Sequence, residues 1–238
     1  MSAPGGPWLL LFDIDGTLLR GATRAHRDAL HRALERVHGI DPTSVGLTLA
    51  PAGRTDAEIA RALLLDAGVA AERIDERDDD VRMECCRAYA ELCEPDLSAY
   101  VIDGIPELLA WLGSREDVAL ALLTGNYEPV ARLKLLRAGI GSAFAAGQGA
   151  FGSDAEDRAA LPAIARRRAG SPGAPHPRTR TLVIGDTPRD IACARADGVR
   201  CVAVATGPFA ADALAGADAV ASGPDELRTA LSEILAPA

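Results

Sequence analysis

Residues 8–18 read Trp8-Leu9-Leu10-Leu11-Phe12-Asp13-Ile14-Asp15-Gly16-Thr17-Leu18. Five apolar residues without a polar break predict a strand buried on both faces. The two aspartates stand where that strand ends, just before the chain turns at Gly16. The pattern recurs twice. Val118–Leu123 runs into Thr124-Gly125-Asn126, and Thr181–Ile184 into Gly185-Asp186-Thr187-Pro188-Arg189-Asp190. Cys201–Ala205 and a weaker Ala217–Ala221 complete the strand candidates.

Helical patterns lie between these runs: Ile105–Leu112, Pro129–Ala138, Asp154–Arg168, Arg189–Ala196 and Asp225–Leu235. Pro129 at a helix start and Gly139 past its end follow the usual preferences. Strands alternating with helices predict an α/β fold, a Rossmann-like doubly wound parallel sheet. One stretch breaks the rhythm. From about Gly21 to Leu97 the patterns are all helical: Thr23–Val37, Thr55–Ala67 and Glu72–Leu92. A crossover of that length is far beyond the dozen or so residues a parallel connection needs. It predicts an inserted all-helical cap domain over 21–97, on a core of 1–20 and 98–238. Asp103-Gly104, where the chain returns, is a candidate hinge. Ser171–Pro177 (SPGAPHP) predicts a surface loop.

The whole chain bounds its partners. It has 238 residues, 48% hydrophobic and 25% charged, which suffices for a sizeable core. A net charge of -9 argues against nucleic acid or an anionic membrane as the main partner. The start, MSAPGGPWLLLFDIDG, lacks the basic residues of a secretory signal. Adjacent Cys85 and Cys86, with Cys93, Cys193 and Cys201, show no CxxC spacing. They fit a reduced, cytoplasmic protein, and no histidine has zinc-ligand spacing to a cysteine. Of 25 basic residues 24 are arginine, and Lys134 stands alone. A lone lysine marks a place where a guanidinium would not fit, or an accident of composition.

In an open parallel sheet, ligands bind beyond the carboxyl ends of the strands. Asp13, Asp15, Thr124, Asp186 and Asp190 can therefore converge. Crowded carboxylates repel unless a cation sits among them, and an all-oxygen set selects a hard ion such as Mg²⁺. Thr124, the Gly125 and Asn126 amides and the helix starts after Thr124 and Asp186 offer donors for an anion. Carboxylates, metal and anion cradle together suggest phosphoryl chemistry, with an Asp able to form an aspartyl-phosphate.

DIDGTL at 13–18, the apolar run ending in Thr124 and GDTPRD at 185–190 resemble, in order and spacing, the haloacid dehalogenase-like hydrolase superfamily. The likeness runs from Leu9 to about Leu235, and the helical insert resembles the cap of the phosphoglycolate phosphatase-like subgroup. The resemblance implies Asp13 as nucleophile and Asp15 as general acid and then base. It implies Mg²⁺ held by Asp13, Asp186 and the Asp15 carbonyl, with Asp190 as a further or alternative ligand. Gly16, Thr17, Thr124, Gly125 and Asn126 are expected against the phosphoryl group of a small phosphorylated metabolite. The family's usual KP lysine is missing. Lys134 and Arg158 are the candidate replacements, and the lone-lysine reasoning favours Lys134 touching Asp13 and a phosphoryl oxygen together. Asp15 argues against the metal-free dehalogenases of this superfamily. A cap without lysine argues against phosphonate hydrolysis by a Schiff base. A phosphomutase or a non-catalytic binding protein on the same fold are the alternatives to a phosphatase.

Other features have plainer readings. DIDGT alone could be an ordinary Asp-Gly turn, a strand-end Thr124 is usually structural, and Asp190 could simply start a helix. Gly147–Gly152 matches GxGxxG but follows no strong strand, which argues against a dinucleotide site. Asp75–Asp80 (DERDDD) reads as a solvated helix start. Gly53-Arg54-Thr55-Asp56 reads either as a capping turn, with Thr55 the N-cap, or as a specificity loop whose Arg54 meets a second anionic group.

Overall fold

The computed structural model describes residues 6–44 and 50–236. The reading of the amino-terminal start therefore falls partly outside the described residues. Six parallel strands form one sheet: β1 Trp8–Phe12, β2 Val118–Thr124, β3 Ala150–Phe151, β4 Thr181–Gly185, β5 Arg200–Val204 and β6 Ala219–Ala221. Their order is β3-β2-β1-β4-β5-β6. β1 lies between β2 and β4, with Leu10 opposite both Leu120 and Leu182. That order places the three polar-tipped strands side by side.

Alternation along β1 divides the core. Trp8, Leu10 and Phe12 face one apolar layer, which includes Leu108 and Leu112 of α4 (Ile105–Gly113) and Leu227 and Leu231 of α8 (Pro224–Ile234). Leu9 and Leu11 face the other, with Leu161 and Ala165 of α6 (Leu161–Ala169) and Ile191 and Ala194 of α7 (Pro188–Ala196). The remaining core helix, α5 (Glu128–Arg137), follows β2.

The helical insert is α1 (Arg24–His38), α2 (Asp56–Asp66) and α3 (Ala71–Leu92). α1 and α3 pack along their lengths, bringing Leu30, Ala33 and Leu34 into one apolar cluster with Cys85, Ala88 and Tyr89. Thr55 caps α2 by accepting from the Glu58 amide at 3.1 Å. No described helix is long and apolar enough to cross a membrane.

Two expectations need correction, and one short strand was not foreseen. Asp154–Arg168 is not one helix: α6 begins only at Leu161, after a 3₁₀ turn over Arg158–Ala160 capped by Asp157. Pro162 in the first turn of α6 suits that start. Asp75–Asp80 lies inside α3 and not at its start. A two-residue edge strand, β3, sits in the GxGxxG stretch, too short for any periodicity to reveal. Its glycine has a packing reason. Gly149 has φ +93, and a Cβ there would stand 2.4 Å from the Leu122 carbonyl oxygen of β2. Ser171–Pro177 is a turn and loop, though its His176 is buried and its carbonyl accepts from Arg166.

Gly149→Ala should therefore destabilise the protein by about 1–3 kcal/mol through a strained φ and a backbone clash. Urea denaturation reads this directly. A loss below about 0.5 kcal/mol, the range of an indifferent surface change, would contradict the close approach.

Candidate active site

Asp13 continues from β1, its amide donating to the Ile184 carbonyl at 2.9 Å. The chain then folds tightly, the Ile14 carbonyl accepting from the amides of Thr17, Leu18 and Leu19. This turn aims Asp15 and Gly16 at the carboxyl edge of the sheet. Asp186 follows β4 and is wholly buried. Gly16 (φ +90) and Gly207 flank it so closely that a Cβ on either would lie 2.1 or 1.7 Å from Asp186 Oδ2. Thr17 Oγ1 donates to Asp186 Oδ1 at 3.1 Å, so this threonine serves a carboxylate. Thr206 Oγ1 holds the loop by donating to the Gly16 carbonyl at 2.5 Å.

Carboxylate oxygens of Asp13, Asp186 and Asp190 all lie within 4.8 Å of one another. Such crowding has a cost. Burial first, and then the neighbouring carboxylates, push Asp186 up to about 8. Burial pushes Asp13 up to about 7, with Arg158 opposing and Asp190 and Asp15 adding to it. Asp186 Oδ2 is buried with no hydrogen-bond partner, an acceptor waiting for a positive charge. Three clustered carboxylates, one of them with an oxygen that has no partner, fit a small hard cation, and Mg²⁺ suits this set.

Asp190 reaches the cluster already engaged. Its Oδ2 accepts from the Thr187 amide at 3.0 Å and Thr187 Oγ1 at 2.7 Å, closing a capping box on α7. Its Oδ1 accepts from Arg158. The same Arg158 nitrogen lies 3.3 Å from Asp13 Oδ1. Burial works against the Arg158 charge, but Asp190 and Asp13 outweigh it and hold the guanidinium firmly protonated.

Lys134 is found elsewhere. It is the seventh residue of α5, in the helix's last turns and not its first, and is completely buried. Its Nζ donates to both oxygens of Asp15, at 2.9 and 2.7 Å, and to Asn126 Oδ1 at 2.9 Å. Burial tends to raise the Asp15 pKa, but the Lys134 ammonium and then His26 prevail and hold it below the ordinary carboxylate value. The single cation expected against Asp13 is thus divided in two: Arg158 serves Asp13, and Lys134 serves Asp15.

The loop after β2 is tied to the insert. The Asp56 amide donates to the Gly125 carbonyl at 2.8 Å, and the Tyr127 amide donates to Asp56 Oδ2 at 2.8 Å. A Cβ on Gly125 would stand 2.0 Å from the Arg54 carbonyl oxygen. Asn126 donates its amide to Thr124 Oγ1 at 3.3 Å, and the Glu128 amide donates to Ser153 Oγ at 2.7 Å. The amides of Asn126, Tyr127 and Glu128, at the approach to α5, are therefore spent within the protein. Arg54 lines the cavity above the carboxylates, with Nε donating to the Ala50 carbonyl at 3.0 Å and a terminal nitrogen paired with Glu58.

Two buried residues escaped the sequence reading. His26 Nε2 lies 2.9 Å from Asp56 Oδ2, so a cap-borne pair is docked against the Tyr127 amide. A histidine in register with Leu30 and Ala33 on the apolar face of α1 was the available signal. For Asp56, placement just after an N-cap made an ordinary helix start sufficient explanation.

The model of a family described as haloacid dehalogenase-like hydrolase matches residues 10–195, and a second, HAD-hydrolase-like, matches residues 158–233. No curated protein matches the chain. Solved structures share the fold at low identity. A putative beta-phosphoglucomutase from Bacteroides vulgatus is 20% identical, with a TM-score of 0.66 over 97% of this chain and 89% of that one. A hydrolase from Pseudomonas syringae is 22% identical, at 0.64 over 97% and 100%. CbbY from Rhodobacter sphaeroides, solved in complex with phosphate, is 20% identical, at 0.62 over 93% and 96%.

The carboxylate cluster predicts a pH dependence. Asp13 and Asp186 hold protons more tightly when folded, at about 7 and about 8, than at the ordinary 3.8. Their contribution is full below the ordinary range and is lost as pH rises toward those values. Metal-free protein should lose thermal stability between about pH 4 and 8, and Mg²⁺ should raise the melting temperature more at pH 8 than at pH 5. Asp15, held low, acts only at the acid end. A Mg²⁺ effect equal at both pH values, or absent, would contradict a metal site at these carboxylates.

Proposed function

The chain belongs to the haloacid dehalogenase-like hydrolase family, and from that premise we propose that it is a Mg²⁺-dependent phosphatase that hydrolyses a small phosphomonoester through an aspartyl-phosphate. The observation that carries the reading is the setting of Asp13. It lies at a strand end inside a cluster of buried carboxylates, with Arg158 on one oxygen and a second strand-end carboxylate, Asp15, beside it.

Asp13 attacks phosphorus, and the ester P–O bond breaks. The departing alkoxide takes a proton from Asp15. Water then attacks the aspartyl-phosphate and gives its proton back to Asp15, so that inorganic phosphate leaves and Asp13 is restored. Bound Mg²⁺ supplies Lewis-acid stabilisation of phosphoryl charge and keeps Asp13 ionised; Asp13 and Asp186 would hold it, with the Asp15 carbonyl and Asp190 as the further candidates. Arg158, on Asp13, is placed to meet phosphoryl oxygens as charge develops on them. Thr124, Gly125 and Asn126 form the adjoining wall. Asp15 can donate a proton only after leaving Lys134, so Lys134 acts as a parking site that sets its acidity.

One observation favours a phosphomutase as the second reading. Gly53 (φ +72) lies so close over the core that a Cβ would stand 2.5 Å from Thr187 Oγ1, and the cap is fastened to Gly125 and Tyr127. A covered site excludes water, as transfer to a second hydroxyl requires. Release of inorganic phosphate, with ¹⁸O from solvent in it, identifies the phosphatase; isomerised ester without net phosphate identifies the mutase. A non-catalytic binder would do neither.

Asp13→Asn should remove nearly all turnover while circular dichroism stays unchanged. Retention of more than a tenth of the activity, in protein checked by mass for deamidation, would refute Asp13 as nucleophile.

The two cations separate by different measurements. Arg158→Ala should lower kcat about 10²–10³-fold, the usual loss for one stabilising donor. Lys134→Met should move the limb of the pH–rate profile that belongs to Asp15 to higher pH, since the ammonium holds that carboxyl low. A silent Arg158→Ala with a crippled Lys134→Met of unshifted profile would return the phosphoryl contact to Lys134.

A further inference from the structure

The cavity over the carboxylates measures about 820 Å³. A water molecule's share of liquid volume is about 30 Å³, so a phosphoryl group occupies only a small part of it. The rest extends under the cap. Its roof is one face of α1 and one face of α2, whose residues recur at helical spacing: His26 and Leu30, then Asp56, Ile59 and Leu63. The His26–Asp56 pair lies nearest the catalytic edge, because Asp56 accepts from the Tyr127 amide. Leu63 lies seven residues further along α2, roughly 10 Å at 1.5 Å per residue. The distal part is therefore walled by Leu30, Ile59 and Leu63, with Pro51 and Ala52 beside them.

What that distal region lacks is side-chain carboxylates and amides. A sugar or polyol needs carboxylates or amides to receive its hydroxyl protons, and a buried hydroxyl without a partner is costly. Apart from Asp13, Asp15 and Asp186, the side-chain carboxylates and amides lining the cavity among the described residues are Asp56 and Asn126. Both are occupied. Asp56 Oδ2 is shared by His26 and the Tyr127 amide, and Asn126 Oδ1 accepts from Lys134. The arginines at the rim are engaged: Arg54 with Glu58 and the Ala50 carbonyl, Arg27 with Asp28 at 3.0 Å, and Arg20 with the Thr206 carbonyl at 3.1 Å, while His31 stands beside them.

Building on the phosphatase reading, we infer that the ester's leaving group is an extended, mainly apolar alcohol, alkyl or aryl, in place of a polyol. The phosphoryl group sits on the carboxylate edge, and the apolar tail runs beneath α1 and α2 toward Leu63. Hydrophobic burial of the tail, not hydroxyl recognition, then supplies the discrimination.

A homologous series of n-alkyl phosphates, from methyl to octyl, tests this with the intact chain and Mg²⁺. Beyond ethyl the leaving alcohols differ little in acidity, so any trend in kcat/KM reports binding of the tail. The expected rise is about fourfold per methylene from propyl onward until the cavity is full, with hexyl phosphate well ahead of glucose 6-phosphate and of phosphoglycolate. Ile59→Asn should reduce the increment to less than twofold per methylene, and Asp13→Asn measures background turnover. A flat or falling series, or a polyol or glycolate ester turned over faster than hexyl phosphate, overturns the tail assignment and leaves the phosphatase reading standing. No phosphate release from any ester, p-nitrophenyl phosphate included, overturns both.

Discussion

The repulsion among Asp13, Asp186 and Asp190 is the constraint on which the rest of this structure depends. Three carboxylates share one buried corner, and burial itself disfavours their charge. The fold holds them there because the adjacent strands β1 and β4 end at the same level, in register. Each carboxylate is then treated differently. Asp190 is neutralised by Arg158 and by the capping box of α7. Asp13 shares that arginine at longer range. Asp186 receives a single hydroxyl, from Thr17, and keeps one oxygen bare. The asymmetry leaves Asp186 and Asp13 as the carboxylates of this corner that a small cation could still meet.

The cap obeys a second constraint, close backbone approach. Gly125 and Gly53 are both sites where a side chain would collide, one with the Arg54 carbonyl and the other with Thr187. The Asp56 amide and carboxylate then bond to opposite ends of the loop Gly125–Tyr127. Loop and cap are therefore joined by these two bonds. Any opening of the cap would have to break them. The chemistry at the strand ends and the position of the insert are coupled through two glycines and one aspartate.

Much of this was legible in the sequence, for reasons that differ by residue. The strands β1, β2 and β4 are apolar throughout because the sheet is covered on both faces, and each ends abruptly in polar residues. Such contrast needs no tertiary information. The edge strand β3 carries only two residues, and pairing with β2, not pattern, makes it a strand. The start of α6 was blurred because Asp154–Arg168 has helical composition while Asp157 and Pro162 locally favour a 3₁₀ turn and a later start. His26, Asp56 and the partners of Lys134 and Arg158 were hidden because those contacts cross between elements far apart in sequence. Spacing along the chain could place each near the sheet edge, but not say which cation meets which carboxylate.

The lone lysine now has a physical account. Lys134 is wholly enclosed, and its ammonium has three N–H groups facing three oxygens: two of Asp15 and one of Asn126. A compact three-donor head satisfies that arrangement completely. A guanidinium is flat, larger and carries five donors, so in the same closed space some would be left without acceptors. At Arg158 the surroundings differ. Two carboxylates from different elements, Asp13 and Asp190, are met there by one terminal nitrogen, while the buried Nε has no partner. In a chain otherwise committed to arginine, the exception falls where geometry requires a point charge. The two basic residues of the site thus divide its carboxylates, Lys134 on Asp15 and Arg158 on Asp13 and Asp190.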